Sequence, residues 1–380
     1  MTGSSRLDAV VDRIAPLDAA AMAAASARLD RLTKPPGSLG RLEELAIRLA
    51  GITGRSDAGT RPRTIVVAAA DHGVAARGVS AYPPDVTRQM VANFLAGGAA
   101  IAVLARRLDA GLVIVDAGVE GHGPSVGRER QPGPFAPGPS VEFRSTGRGR
   151  ATADLSVGPA MTRVAALAAV EFGLDLAAEL TDRGTALIGL GEMGIGNTTS
   201  AAALTSALCG AQPDAVTGPG TGLDEAARLR KVAIVEHALA VNRPDPTDPL
   251  GVLAALGGLE IAVLVGVLLG GAASRVPVVL DGFITGAAAL VAAAIAPDVT
   301  ARLIASHRSA EPGHAVQLER LGLQPLLDLE LRLGEGTGAA LAIGLLDAAT
   351  SLRDEMATFE SAGVAGRQAP AGITARRARS

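Results

Sequence analysis

Thr64-Ile65-Val66-Val67-Ala68-Ala69-Ala70 is followed without a break by Asp71-His72-Gly73. A run this short, apolar and rich in β-branched residues, with no polar face, reads as a strand buried on both sides. The pattern recurs at 112–115, 186–189, 276–280 and 302–305. The residues that follow are Asp116-Ala117-Gly118, Gly191-Glu192-Met193-Gly194, Asp281-Gly282 and Ser306-His307-Arg308-Ser309. Between these runs lie Ala/Leu-rich stretches with helical periodicity, at 86–107, 162–180, 198–208, 225–240 and 337–352. Alternating strands and helices of this kind predict an α/β fold with a parallel sheet covered on both faces. In a doubly wound sheet the ligand crevice lies outside the carboxyl ends of the strands. The polar clusters are therefore expected to converge on one cleft. Pro83-Pro84-Asp85, Asn197-Thr198-Thr199 and Thr337 mark helix starts, each by a first-turn proline or a side-chain cap.

Composition narrows the class. A chain of 380 residues exceeds one ordinary domain and predicts two or three. With 48% hydrophobic and 19% charged residues and a net charge of −3, it is neither a disordered chain nor a basic partner for nucleic acid. The mean hydropathy of +0.32 raises the question of a membrane. The longest apolar stretch, 261–273, is closed by Glu260 and by Ser274-Arg275 and is too short to span one. Cys209 is the sole cysteine, which excludes an internal disulfide and a Cys-based zinc cluster. The N-terminus lacks the layout of a signal peptide, so a cytoplasmic protein is expected. With no tryptophan, one tyrosine and six phenylalanines, the chain has no platforms for stacking single-stranded bases. Only Lys34 and Lys231 are lysines. Arginine serves elsewhere, which singles these two out as positions needing a compact ammonium.

The segment 120–152, rich in Gly, Pro and Arg, reads as a long flexible loop or lid over the cleft, and 363–380 as a disordered tail. The first 50 or so residues read as helices flanking Lys34-Pro-Pro-Gly-Ser-Leu-Gly40 and set apart from the sheet.

Three glycine-rich loops run directly into helices: Gly189-Leu-Gly-Glu-Met-Gly-Ile-Gly-Asn197, Gly218-Pro-Gly-Thr-Gly222 and Gly334-Glu-Gly-Thr-Gly338. Backbone N–H groups at such starts favour an anion. The first loop contains a formal G-x-G-x-x-G, but no second strand ending in an acid follows about 20 residues on, as a dinucleotide fold requires. No Gly-Lys-Ser/Thr occurs, which excludes a P-loop. Lys231, in the helix after the second loop, offers a point charge for a phosphate. Glu335, flanked by glycines at a helix start, is a candidate general base, and Glu192 in its Gly/Met setting is an equal competitor.

Taken together, the Lys34–Gly40 motif, Ala70-Asp-His-Gly-Val74, Val79-Ser-Ala-Tyr-Pro83, Gln89-Met90-Val91 with Phe94, Gly191-Glu-Met-Gly-Ile-Gly-Asn-Thr-Thr199, Asp281-Gly-Phe283, Ser306-His307 and Leu333-Gly-Glu-Gly-Thr-Gly338 resemble the nicotinate-nucleotide:dimethylbenzimidazole phosphoribosyltransferase family. The likeness runs from about residue 34 to 352. It implies a Rossmann-like parallel sheet flanked by helices (61–339), a smaller helical domain from the chain ends (1–60 plus about 340–362), and a homodimer. It implies nicotinate mononucleotide and a benzimidazole-type base as substrates, with no metal or cofactor. Residue by residue it implies Glu335 as the base and Ser80, Tyr82, Gln89 and Leu333 around the benzimidazole. Gly194, Gly220 and Lys231 would meet the phosphate, and Ser309 would lie near the nicotinate. A nicotinamide-dependent oxidoreductase and a non-catalytic nucleotide sensor of the same fold are the alternatives.

Overall fold

The computed structural model describes residues 4–121 and 141–365. Six strands form one parallel sheet: β1 (Arg63–Ala70), β2 (Gly111–Gly118), β3 (Val141–Ser145), β4 (Leu187–Met193), β5 (Val278–Leu280) and β6 (Leu303–Ala305). Their order is β3-β2-β1-β4-β5-β6. Side chains alternate along each strand, so Val66, Ala68 and Ala70 enter one apolar layer and Ile65, Val67 and Ala69 the other. Neither face of β1 meets water, which is why its sequence carries no polar alternation.

One layer is closed by the helices Arg163–Asp182 and Leu259–Ala273, which cross with their backbones in contact. At the crossing a Cβ on Gly266 would lie 2.0 Å from the Val170 carbonyl oxygen, and one on Gly173 2.0 Å from that of Val263. The helix-propensity gain of Gly266→Ala, about 1 kcal/mol, is smaller than the cost of prising apart two packed backbones. That variant is expected to lose about 1–3 kcal/mol or more, read as a lower urea midpoint. The opposite layer holds Arg41–Thr53, Asp85–Ala96, Ala100–Leu108 and Thr337–Glu355.

The helices Arg41–Thr53 and Thr337–Glu355, from opposite ends of the chain, share this second layer, whereas Leu7 and Val10 of the first helix, Ser5–Val11, pack in the other. Leu45, Ala46 and Leu49 pack in one cluster with Ile65 and Val67 of the sheet and with Ile343 and Leu346, while Ala21, Ala25 and Ala50 form a small cluster of their own. The two ends also meet directly, through the Thr33 amide on the Ala357 carbonyl (2.9 Å) and a bridge between Leu32 and Thr358. Lys34 serves this region. Its Nζ lies 2.8 Å from Glu43 Oε1, which also accepts the Leu39 amide at 3.0 Å, so the pair ties the Lys34–Gly40 turn to the helix behind it. Burial opposes the Glu43 charge, but the Lys34 and Leu39 hydrogen bonds hold its carboxyl below the usual range.

Four expectations need correction. Part of the 120–152 loop is strand β3, an edge strand that buries only Phe143 and keeps Glu142 and Arg144 paired at its margin, so it shows little apolar signal. Of that segment 122–140, and of the tail everything beyond 365, lie outside the described residues. Strand β4 runs on to Met193, so Glu192 belongs to the strand and not to the loop after it. The helix at 86–107 is two helices, Asp85–Ala96 and Ala100–Leu108, broken at Gly97 (φ 81°). By length and composition Asp85–Leu108 could cross a membrane, yet its apolar residues Val91, Phe94, Ile101 and Ala105 belong to the sheet's core. Finally, Asn197 and Thr337 do not cap their helices. The cap positions are Gly196 and Gly336, both left-handed.

Candidate active site

With the order β3-β2-β1-β4-β5-β6, the sheet reverses its winding between β1 and β4, and a crevice must open beyond the carboxyl ends of these two strands. A cleft of about 550 Å³ lies there. Tyr82, Val86, Met90 and Leu333 form an apolar lip, Phe283 and Ile284 line it further in, and Glu192, Asn197, Thr198, His307, Ser309, Glu311, Arg332 and Glu335 supply polar groups. Tyr82 (55% exposed) and Leu333 (58%) stand open to solvent at the mouth.

Of the residues expected at a site, Tyr82, Gly194, Gly220, Ser309, Leu333 and Glu335 line this cleft. Ser80 stands just behind it: its Oγ lies 3.0 Å from Thr221 Oγ1 and accepts the Tyr82 amide at 3.1 Å, which fixes the turn carrying the tyrosine. Gln89 is not in the lining. It precedes Met90 on the helix Asp85–Ala96, and a turn of about 100° per residue leaves its side chain exposed while Val86 and Met90 face inward.

Glu335 occupies a turn of three consecutive left-handed residues, Gly334 (φ 80°), Glu335 (φ 64°) and Gly336 (φ 92°). For a residue with a Cβ this conformation costs about 1–2 kcal/mol, and it persists only where the surroundings dictate it. The Glu335 amide donates to the Glu192 carbonyl at 3.2 Å. Beneath it Gly191 has to be bare, because a Cβ there would come 2.3 Å from the Glu335 carbonyl oxygen. The central glycine of the formal G-x-G-x-x-G is thus covered by the chain itself and does not face a pyrophosphate. The Glu335 side chain is 4% exposed and its Oε2 has no hydrogen-bond partner. Burial raises its pKa, with the Ile101 amide opposing.

Two glycine loops expected to cradle phosphate have amides already taken. Asp281 Oδ1 accepts from Gly338 N (2.7 Å) and Ala339 N (3.2 Å), and its Oδ2 from Gly336 N (3.1 Å). Glu311 Oε1 accepts from Gly220 N at 2.8 Å. Such partners lie 55 and 91 residues away in sequence, beyond the reach of any local motif. Burial pushes Asp281 up to about 7 against the pull of these amides. Glu192 is raised well above its ordinary range by burial and then by the charges of Asp281 and Glu260, with the Asn197 side-chain hydrogen bond opposing.

Basic groups adjoin the cleft as well. Lys231 lies just under the floor, 1% exposed, with Nζ 2.7 Å from Thr198 Oγ1 and 3.4 Å from the Gly218 carbonyl oxygen. Burial lowers its pKa to about 8, Glu311 opposing. Arg332, for which the sequence held no local signal, lines the cleft and donates to the Gly220 carbonyl at 3.0 Å. Ser309 is held by its own amide on His314 Nδ1 at 2.9 Å.

Burial depresses His314 to about 3, ahead of smaller contributions from His307 and Arg308. Its folded pKa lies below the unfolded value of about 6.5, so the stability it confers is present above pH 6.5 and is lost as pH falls toward 3. His314→Gln is expected to flatten the acid side of a plot of urea midpoint against pH, and an unchanged slope would contradict this assignment.

A family model described as "Phosphoribosyltransferase" matches residues 14–364. A nicotinate-nucleotide–dimethylbenzimidazole phosphoribosyltransferase of Chloroflexus aggregans is 53% identical over 360 residues, 95% of this chain and 98% of the relative. The chain belongs to the nicotinate-nucleotide–dimethylbenzimidazole phosphoribosyltransferase family. Another member, from Geobacter sulfurreducens, is 51% identical over 94% of this chain and 98% of its own. The crystal structure of the member from Thermus thermophilus superposes with a TM-score of 0.82 at 47% identity, over 92% of this chain and 100% of that one. For a member of this phosphoribosyltransferase family the cleft brings together intelligible groups: a buried acid, an apolar lip and a buried ammonium just under its floor. The oxidoreductase alternative is not favoured.

Proposed function

We propose that the protein transfers the phosphoribosyl group of nicotinate mononucleotide to 5,6-dimethylbenzimidazole, giving α-ribazole 5′-phosphate and nicotinate, with Glu335 as general base. The observation that carries this reading is the buried Glu335 carboxyl, with an unpartnered Oε2 and a raised pKa, in the lining of the cleft. The pyridinium nitrogen of the nucleotide is already cationic, so breaking its bond to C1 of the ribose releases a neutral ring nitrogen without an acid. No diphosphate leaves, so no divalent cation has a charge to neutralise. The acceptor is the difficulty: one benzimidazole nitrogen attacks C1 while the other must lose its proton, and a carboxylate within hydrogen-bond reach takes it. Attack opposite the departing nicotinate inverts β to α.

In this reading Tyr82, Val86, Met90 and Leu333 receive the flat acceptor between apolar walls. Lys231 and Thr198 hold the phosphate, with Gly194 and Gly220 only lining the cleft beside it, and Ser309 sits toward the nicotinate. Holding two rings on opposite sides of one ribose supplies much of the remaining acceleration. The working form is a homodimer in the cytoplasm, without nucleic acid or membrane, and sedimentation at twice 38.0 kDa checks the first point. The direct test is mass spectrometry of purified protein with both substrates and a metal chelator present. Formation of α-ribazole 5′-phosphate and nicotinate is expected. Nucleotide binding without product would turn the reading toward the nucleotide sensor.

A further inference from the structure

Asp281 stands at the end of β5, 1% exposed, and it is not among the residues lining the cleft. Its carboxylate nonetheless accepts from the last amide of the catalytic turn, Gly336 (3.1 Å), and from two amides of the helix start just after it, Gly338 (2.7 Å) and Ala339 (3.2 Å). Its own backbone is tied to β6, since the Ser306 hydroxyl donates to the Asp281 carbonyl at 2.9 Å. On the upstream side Glu335 is held by one bond, from its amide to the Glu192 carbonyl at 3.2 Å. Thr337 bonds only back within the turn, to the Gly334 carbonyl. The Glu335 turn thus has one fixed point on β4 and one on Asp281, through Gly336, while the other two Asp281 bonds fix the first helical turn that follows it and the Ile101 amide meets the carboxylate itself.

A carboxylate at a helix start is also a plain dipole partner. Here, however, the helix Thr337–Glu355 is already anchored by Ala339, Ala340, Ile343 and Leu346, which belong to the core of the sheet's second face. Losing Asp281 would leave the helix docked by these side chains while releasing the Gly336 amide of the turn and the two amides of the helix start behind it. Resting on the reading of Glu335 as the base, we infer that Asp281 is the positioning residue of that base, holding the Glu335 turn at the geometry in which the carboxylate meets the acceptor's N–H.

The test is a double-mutant cycle. Asp281→Ala, Asp281→Asn, Glu335→Gln and the double variant Glu335→Gln/Asp281→Ala are each assayed for kcat, for the KM of both substrates and for the Kd of nicotinate mononucleotide. Displacement of a catalytic group by about 1 Å costs about 100-fold, so Asp281→Ala is expected to lower kcat by about 10- to 100-fold. The nucleotide Kd should stay within about twofold, since the Asp281 carboxylate bonds Gly336, Gly338 and Ala339 and not Lys231 or its partners Thr198 and Gly218. Asp281→Asn, which keeps one oxygen for Gly338 and Ala339, should recover part of the loss. In the Glu335→Gln background Asp281→Ala should cost nothing further, because it acts through the group already removed.

An Asp281→Ala protein with a lower melting temperature but unchanged kcat would overturn the inference, leaving a purely structural residue. So would a full additional loss in the Glu335→Gln background. Should Asp281→Ala fail to fold, Asp281→Asn carries the same cycle. Full turnover by Glu335→Gln alone would instead sink the base assignment itself, and the two failures are thereby told apart.

Discussion

Glu335→Gln should leave nicotinate mononucleotide binding intact and lower turnover by about 10²- to 10⁴-fold, the usual worth of a positioned general base. Glutamine has the same shape and the same Cβ, so the left-handed turn, its Gly336 bond to Asp281 and the two such bonds of the helix start are kept. What it cannot do is take a proton. The pH dependence sharpens the test. Burial raises the Glu335 pKa, so the acidic limb of kcat/KM should lie above the ordinary glutamate range, with activity falling as pH drops through that raised value. Rates by product chromatography from the acidic to the mildly alkaline range, beside calorimetric Kd values, check both parts. Undiminished turnover in the glutamine variant would refute the assignment.

Lys231→Ala should act on the other substrate contact. Removing a charged hydrogen-bond donor at a buried site costs about 1.5–3 kcal/mol, or about 10- to 150-fold in Kd for the nucleotide, with kcat at saturation far less affected. In the ligand-free protein the ammonium titrates at about 8. A phosphate arriving beside it favours the charged form, so binding should take up a proton above about pH 8 and weaken as pH rises further. Stability runs the other way. The folded pKa lies below the unfolded one, the unfolded chain holds more protons between about 8 and 10.5, and the ligand-free fold gains stability across that window. Calorimetry in two buffers of different ionisation enthalpy counts the proton. An unchanged affinity in Lys231→Ala, or no proton uptake just above the ammonium's own pKa, would remove Lys231 from the phosphate site.

The sheet was legible because a strand buried on both faces writes its whole length in apolar residues, as at Ile65 to Ala70. Strand β3 was not, because an edge strand needs only Phe143 in the core. The gathering of polar strand ends into a cleft followed from topology alone, and Glu335 stood out by its glycine neighbours. The glycine loops were harder to read. A run of glycines announces available amides but not who takes them, and Asp281 and Glu311 reach theirs from other strands and loops. Gln89 and Met90 are adjacent in sequence and differ only in which way the helix turns them. Arg332 gives no local signal among so many arginines. Lys231, by contrast, was singled out by rarity and does hold a buried polar position, whereas the same rarity at Lys34 marks a structural pin.

The two lysines, Lys34 and Lys231, are 6% and 1% exposed. Since the sequence contains no others, the folded protein presents almost no amine to reagents beyond its N-terminus. Acylating probes, amine cross-linkers and lysine-directed modification would find a nearly blank surface. Each would react in proportion to how often the fold opens. Slow acylation is thus a ready-made clock for opening events, and protection of Lys231 by nicotinate mononucleotide would report occupancy of the cleft without any assay of turnover.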